Sequence, residues 1–369
     1  MSASRDALWL PVTALLFAGI LGVVWLLGLP LLSRAGAGGA GRTGGGPAAG
    51  ADAGSQPAAS AESMATSGGG GSIQPEGEAP RIRPGDAGSV AADGGVVPAL
   101  PEALDGFRSD AWHLPDDPLL GFVEIPGGPF LMGSDPGVDR LAYDIEVWSP
   151  GQPQGGVEVP TFYLGRFEVT VAQYAAFVEA TGHPTAEGTF DAPPDHPVSR
   201  VTWPDALAYA RWLEEALRDS PDTPEAIRRR LDEGWRITLP DEAEWEKAAR
   251  GTDGAIFPWG NQPRSDRANF QAGAAVSVGL YECPECPYDV ADMSGNVWEW
   301  TRSPYQPYPY DESDDHENLR ADALWVIRGG SYQDPLRNVR AAVRGGGDPG
   351  ARRPFVGFRV ALTPGDSGS

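Results

Sequence analysis

Asp292-Met-Ser-Gly-Asn-Val-Trp-Glu-Trp300 is the most informative stretch of this 369-residue chain. Acidic side chains at 292 and 299 flank a tight Gly295-Asn296 turn. Two carboxylates together with backbone carbonyls in a turn are what a hard cation such as Ca²⁺ requires. The same residues serve equally well as a structural turn with Trp298 and Trp300 in a core. On the residues alone both readings stay open.

Just upstream lies Cys283-Pro-Glu-Cys286, which holds both cysteines of the chain. The simplest reading is a local disulfide, which requires an oxidising compartment. A thioredoxin-like pair would normally open a helix at the end of a strand. A zinc half-site would need two ligands from elsewhere, and a Cu(I) site would use the two thiols directly. Downstream, Tyr305 to Glu317 reads as a solvated acidic surface loop. Arg328, Arg337, Arg340, Arg344, Arg352 and Arg353 then concentrate positive charge in the C-terminal quarter. They either receive an anionic group on a partner or pair with the domain's own carboxylates. The four histidines, His113, His183, His196 and His316, are scattered and show no two-His-one-carboxylate set.

Around these motifs, residues 118–364 carry regularly spaced aromatic and aliphatic residues with dense Gly/Pro punctuation, which predicts one loop-rich α+β domain. Thr170 is expected to cap a helix that Gly182 stops. Thr202, followed by Pro204, opens a second helix with Ala206, Ala210, Leu213 and Leu217 facing inward. Asp241 and Glu244 form an acidic capping box for a third, ended by Gly251. A short surface helix, Pro224 to Leu231, is expected behind a Thr223 cap. Strands are expected at Phe122–Ile125, Phe162–Phe167, Val326–Arg328 and Phe358–Ala361.

Eight motifs in order make the sequence resemble the formylglycine-generating enzyme, or sulfatase-modifying factor, family. They are Phe122 to Gly133 (FVEIPGGPFLMG), Phe167 to Tyr174 (FEVTVAQY), Pro197 to Trp203 (PVSRVTW), Leu239 to Gly251 (LPDEAEWEKAARG), Phe257 to Asn261 (FPWGN), Asp292 to Trp300, Arg328-Gly-Gly-Ser-Tyr332 and Gly357-Phe-Arg359. The resemblance implies a modified C-type-lectin-like fold. It also implies oxidation of a sulfatase cysteine to formylglycine with copper and molecular oxygen. The family's two copper cysteines follow the segment matched by Arg328 to Tyr332. Here Asp334 stands at the first position and Leu336 or Val339 at the second. A carboxylate and an aliphatic side chain cannot replace thiolates around Cu(I), so no catalytic residue and no copper is expected.

By the same resemblance, calcium would be held by the Asp292 and Glu299 side chains and the Gly295 and Val297 carbonyls. A second calcium site would begin at Asn269 and Phe270, in a loop that is otherwise rewritten. The family's groove would place Arg328, Ser331, Tyr332, Arg340 and Arg344 near a ligand. The resulting expectation is a binding or accessory module for a protein, peptide or glycan. The alternative is an oxidoreductase of the family with non-standard metal ligands. The His-rich helical domain of the family's iron-containing relatives is absent from the sequence.

The N-terminus reads differently. Residues 7–32 contain no charge and are long enough to cross a bilayer, so a membrane anchor is expected over 1–32. A cleavable signal ending near Ala35-Gly36-Ala37 is the alternative. Arg5 on one side and Arg34 and Arg42 on the other leave orientation unsettled by charge. Residues 33–117 are rich in Gly, Ala, Ser and Pro and are read as a flexible tether with an end-to-end distance of about 50 Å; residues 365–369 form a short tail. With 51 Asp+Glu against 28 Lys+Arg and a net charge of −23, nucleic acid is excluded as a partner. A single-pass protein of a bacterial inner membrane, with its domain in the periplasm, is the expected setting.

Overall fold

The computed structural model describes residues 104–365 except 316. The first half of the fold runs β1 (Phe107–Arg108), β2 (Leu114–Pro115), β3 (Phe122–Ile125), β4 (Gly128–Met132), β5 (Gly155–Val159), β6 (Phe162–Gly165), α1 (Val171–Thr181), α2 (Trp203–Asp219) and α3 (Glu225–Asp232). The second half runs β7 (Arg236–Thr238), α4 (Glu242–Arg250), β8 (Trp298–Pro304), β9 (Trp325–Arg328), β10 (Arg344–Gly347), β11 (Val356–Gly357) and β12 (Ala361–Thr363). One four-stranded sheet has the order β3-β6-β12-β7 and another the order β10-β9-β8-β11. Long loops join these short strands, as the α+β reading predicts. The expected membrane anchor and most of the tether lie outside the described residues, and no described helix is long and apolar enough to cross a membrane.

The helix caps form as their residue types dictate. Thr170 and Gln173, Thr202 and Asp205, and Asp241 and Glu244 each close a reciprocal capping box. Gly182 ends α1 at φ 67°, a left-handed conformation that glycine adopts without a Cβ penalty. Ala206, Ala210, Leu213 and Leu217 are all buried, and Trp203 at the start of α2 stacks on Trp325 at 3.8 Å.

Four expectations are corrected. The domain begins before 118: β1 pairs with β2, Trp112 packs edge-on against Trp212 at 6.1 Å, and Gln173 Nε2 donates to the His113 carbonyl. Thr223 does not cap α3, because its hydroxyl donates to the Leu217 carbonyl. Nor is α3 a surface insertion, since it sends Ile227 and Leu231 into the core. The run Phe358–Ala361 is a strand only from Ala361, because its backbone is shared between neighbours. The Phe358 carbonyl accepts from the Val169 N–H and the Val360 carbonyl from the Gly165 N–H.

The segment Trp298–Pro304, read only as the exit from a turn, is a fully buried central strand. It lies antiparallel to β9, with Glu299 opposite Arg328, and parallel to β11, with Trp298 opposite Val356. A sheet that buries both faces loses the polar/apolar alternation by which strands are read. This strand carries the site turn at its N-terminal end and the Ser331–Val339 loop beside it.

Candidate functional site

The turn before β8 is built from left-handed residues. Asp292, Gly295 and Asn296 have φ of 58°, 80° and 57°. A Cβ at Gly295 would collide with the Asn269 carbonyl, so only glycine fits there. Asn269 and Asn296 lock the crossing: the Asn296 N–H donates to the Asn269 carbonyl at 2.9 Å, and Asn269 Nδ2 to Asn296 Oδ1 at 3.2 Å. Asn269 thus joins the turn, while its partner in the second expected calcium site, Phe270, is half-buried beside it.

Beneath the turn lies a buried ionic node. Glu299 is fully buried, and Arg359 donates to both its oxygens, Nε at 2.6 Å and Nη2 at 2.7 Å. Trp245 Nε1 adds a third donor at 2.7 Å. Glu168 accepts from Asn296 Nδ2 at 2.9 Å and from the Val297 N–H at 3.2 Å. Asp292 accepts from the Gly279 N–H at 2.6 Å. Burial holds the Glu168 carboxyl well above the usual range, and the charges of Asp292 and Glu299 add to the shift. Burial also pushes Asp292 up to about 6, against the pull of the Gly279 N–H and Arg359.

The resemblance would place calcium on the Asp292 and Glu299 side chains and the Gly295 and Val297 carbonyls; of these, Glu299 accepts from Arg359 on both oxygens and Asp292 Oδ2 accepts from the Gly279 N–H. Among the described residues no group of three or more His, Cys, Asp or Glu side chains is disposed to hold a metal ion. Cys283 and Cys286 are joined in a disulfide, so their sulfurs are not thiolate ligands for copper or zinc.

The loop after β9 carries Asp334, Leu336 and Val339, the positions at which the resemblance would set the copper cysteines. Asp334 is buried, and its carboxylate accepts four hydrogen bonds, all from uncharged groups. Oδ2 takes the Trp298 indole N–H at 2.8 Å, the Ser331 N–H at 2.9 Å and the Ser331 hydroxyl at 2.6 Å. Oδ1 takes Asn338 Nδ2 at 2.9 Å, and Asn338 Oδ1 in turn accepts from the Tyr143 hydroxyl at 2.7 Å. Val339 is fully buried, whereas Leu336 is half-exposed. Asp334 is therefore a saturated structural cap for its loop.

The expected groove arginines are corrected as well. Arg328 pairs with Glu246 at 2.6 Å, Arg340 with Asp139 and Glu146 at 2.6 Å, and Arg344 with Glu242 at 2.5 Å. All three are buried, which is the internal pairing left open by the sequence. Ser331 is buried on Asp334, and of the five expected groove residues only Tyr332 is partly accessible.

Comparison with known proteins decides the affiliation. The family described as "Sulfatase-modifying factor enzyme 1-like domain" matches residues 111–364. The chain belongs to the sulfatase-modifying factor family. It is 30% identical to the inactive C-alpha-formylglycine-generating enzyme 2 of Mus musculus, over 68% of this chain and 87% of that protein. It is also 30% identical to the hercynine oxygenase of Mycolicibacterium smegmatis, over 65% of this chain but only 60% of the relative's length. The formylglycine-generating enzyme of Streptomyces coelicolor is 28% identical, over 65% of this chain and 88% of the enzyme. Among solved structures, PvdO from Pseudomonas aeruginosa superimposes with a TM-score of 0.53 at 24% identity, covering 66% of this chain and 94% of PvdO. That likeness is one of fold.

Within this sulfatase-modifying factor domain, the sequence motifs contained residues whose roles were not legible. Glu168 and Arg359 sit inside the motifs FEVTVAQY and GFR, yet nothing local says that they meet around Glu299. Tyr143 and Asn338 carried no signal. Asn338 lies only four residues from Asp334, but its other partner, Tyr143, is 195 positions away, and only folding brings that hydroxyl to the loop.

Proposed function

We propose that this chain is a non-oxidase member of the sulfatase-modifying factor family, acting as a binding or accessory module for a protein or peptide. The observation that carries this reading is Asp334, a carboxylate saturated by four neutral donors where a thiolate would have to stand. Fully buried Val339 offers no lone pair at the second position. The disulfide leaves neither cysteine as a thiolate ligand. A fold commonly outlives its chemistry, because site and scaffold are separable; one relative is itself named inactive. The chain's membrane anchor and periplasmic exposure belong to the same reading, supported by the uncharged run 7–32 and by a disulfide that suits an oxidising compartment.

The test incubates the chain with Cu(I), oxygen and a Cys-x-Pro-x-Arg peptide and reads the peptide by mass spectrometry. An unchanged cysteine is expected. Formylglycine above a no-protein control would overturn the reading in favour of an oxidoreductase with unfamiliar ligands. An alkaline phosphatase fused after residue 365 is expected to be active, which reports export; an inactive but folded fusion would place the domain in the cytoplasm.

A further inference from the structure

The acidic run Tyr305 to Glu317 is not solvated throughout. Asp311, Glu312 and Asp314 are exposed, but Asp315 and Glu317 turn inward. Glu317 meets cations there, Arg211 at 2.7 Å and Arg236 at 3.4 Å. Asp315 meets hydroxyls instead: Ser303 Oγ donates to its Oδ1 and the Tyr310 hydroxyl to its Oδ2. Ser303 Oγ in turn accepts from the Glu242 N–H at 2.8 Å, so Asp315 stands one hydroxyl away from the first turn of α4.

That turn already carries two buried acids. Asp241 accepts from Arg302 Nη2 at 2.9 Å and from the Glu244 N–H at 2.6 Å. Glu244 accepts from the Asp241 N–H at 2.8 Å and from the Thr363 hydroxyl at 2.7 Å, and lies 3.6 Å from Arg302. Glu242 is engaged elsewhere, on Arg344 and Arg328. Asp241, Glu244 and Asp315 thus gather around one guanidinium, Arg302, and the α4 N-terminus, whose dipole adds about half a positive charge. With all three ionised, more than one negative charge would stay uncompensated away from water, so the group retains a proton. Burial pushes Asp315 up to about 7, against the pull of Ser303, Tyr310 and Arg302; burial and the Glu244 charge hold Asp241 well above the usual range. The proton belongs to the coupled group rather than to one residue. From the loop itself, Tyr310 faces Asp315, with Asp311 and Asp314 close by in the chain. His316, next in the chain, lies outside the described residues.

The segment that Asp315 fastens is a cover. Tyr308 lies over the Arg344 guanidinium at 4.3 Å and stacks on Trp148 at 5.2 Å, and the Gln306 carbonyl accepts from Arg344 Nη1 at 2.8 Å. Tyr308 and Tyr310 line one cleft together with Glu242, Ser303 and Arg344.

We propose that the segment 305–315 is a proton-operated flap: it stays closed over Glu242 and Arg344 while the Asp241–Glu244–Asp315 group holds a proton, and opens from its Asp315 end when that proton is lost. The sign follows from the raised acid. Closure is favoured fully at acidic pH and loses this support as the pH rises through about 7. Glu317 marks the hinge, because despite burial Thr238 and Arg211 hold its carboxyl low and it stays ionised through the same range. The flap is independent of the binding-module reading.

Hydrogen exchange of the full chain in detergent tests it, through the amides of Tyr305, Asp314 and Asp315, which donate to the Leu324, Asp311 and Glu312 carbonyls. Protection factors are compared, so that the intrinsic pH dependence of exchange cancels. Protection of 305–315 is expected to fall at least tenfold between pH 5.5 and 8.5, with a midpoint near 7, while that of α2 holds. Asp315→Asn keeps an acceptor for Ser303 and cannot ionise, so it is expected to stay protected at both pH values. Tyr310→Phe removes a donor to the carboxylate and is expected to move the midpoint to higher pH. Glu317→Gln should lower protection at both pH values without moving the midpoint, and His316→Gln should leave the transition unchanged. Equal wild-type protection at both pH values, a transition that persists in Asp315→Asn, or one that vanishes in His316→Gln would overturn the proposal. Should Asp315→Asn fail to fold, the Tyr310→Phe midpoint decides, and an unmoved midpoint overturns the proposal.

Discussion

Two buried carboxylates, about one strand apart, are satisfied in opposite ways. Glu299 lies under the turn and takes a cation, Arg359, on both oxygens. Asp334 lies in the loop beside β8 and takes only neutral donors from Trp298, Ser331 and Asn338. Trp298 and Glu299 are adjacent in β8, so a single strand feeds both nodes. The Glu299 node also carries excess acid, since Glu168 and Asp292 press on the same guanidinium. What the difference teaches is that a buried acid marks neither a metal site nor a catalytic group by itself. Its partners decide what it does.

The comparison breaks most severely at Arg359. Arg359→Met would leave Glu299 buried without its counter-charge, and removing one partner of a buried pair costs about 3–5 kcal/mol. Urea unfolding of the variant should show a loss of that size. A loss under 1 kcal/mol would mean that Glu299 is protonated or already paired elsewhere.

Asp334→Ala tests the neutral node. It strands the Trp298 indole N–H, the Ser331 hydroxyl and Asn338 Nδ2 in the interior, at about 1–3 kcal/mol for each unmatched group before relaxation. A net loss of about 3 kcal/mol is expected, with Asp334→Asn recovering part of it. Equal stability of the wild type and Asp334→Ala would show that water reaches the loop.

Titration sharpens the contrast further. Asp292, pushed up to about 6, is held above its unfolded value. Its contribution to stability is therefore complete below about pH 4 and is lost as the pH rises through 6. Between pH 7 and 4 this group alone should raise stability by of order 2 kcal/mol as acid is added. Asp292→Asn should flatten that part of the profile. Toward still lower pH Glu246 opposes the gain: despite burial, Arg328 and Arg250 hold it low, so its contribution disappears on protonation. A wild-type profile that only falls below pH 6 would refute the assignment.

The smallest effect is expected at the disulfide. Glu285, between the two cysteines, is held by Arg264 at 3.0 Å and Arg267 at 2.8 Å, and Arg267 lies two residues before Asn269. The bridge closes only a four-residue segment, Cys283 to Cys286, so Cys283→Ser should cost about 1–2 kcal/mol. A loss as large as that of Arg359→Met would show that this loop, rather than the ionic node, secures the turn.

The sequence by itself determined three of the four helices, through caps whose partners lie three residues apart: Thr170 with Gln173, Thr202 with Asp205, Asp241 with Glu244. It also determined the α+β class and the family's motifs, since each is written in residue identity or short spacing. Only the tertiary structure decided that β8 is a central strand, that Glu299 belongs to Arg359 and that Asp334 is a saturated cap. The deciding contacts, β8 with β9 and β11, Glu299 with Arg359 and Asp334 with Trp298, join residues about 20 to 60 positions apart. Chain topology sets such distances, and no local pattern encodes which carboxylate meets which cation.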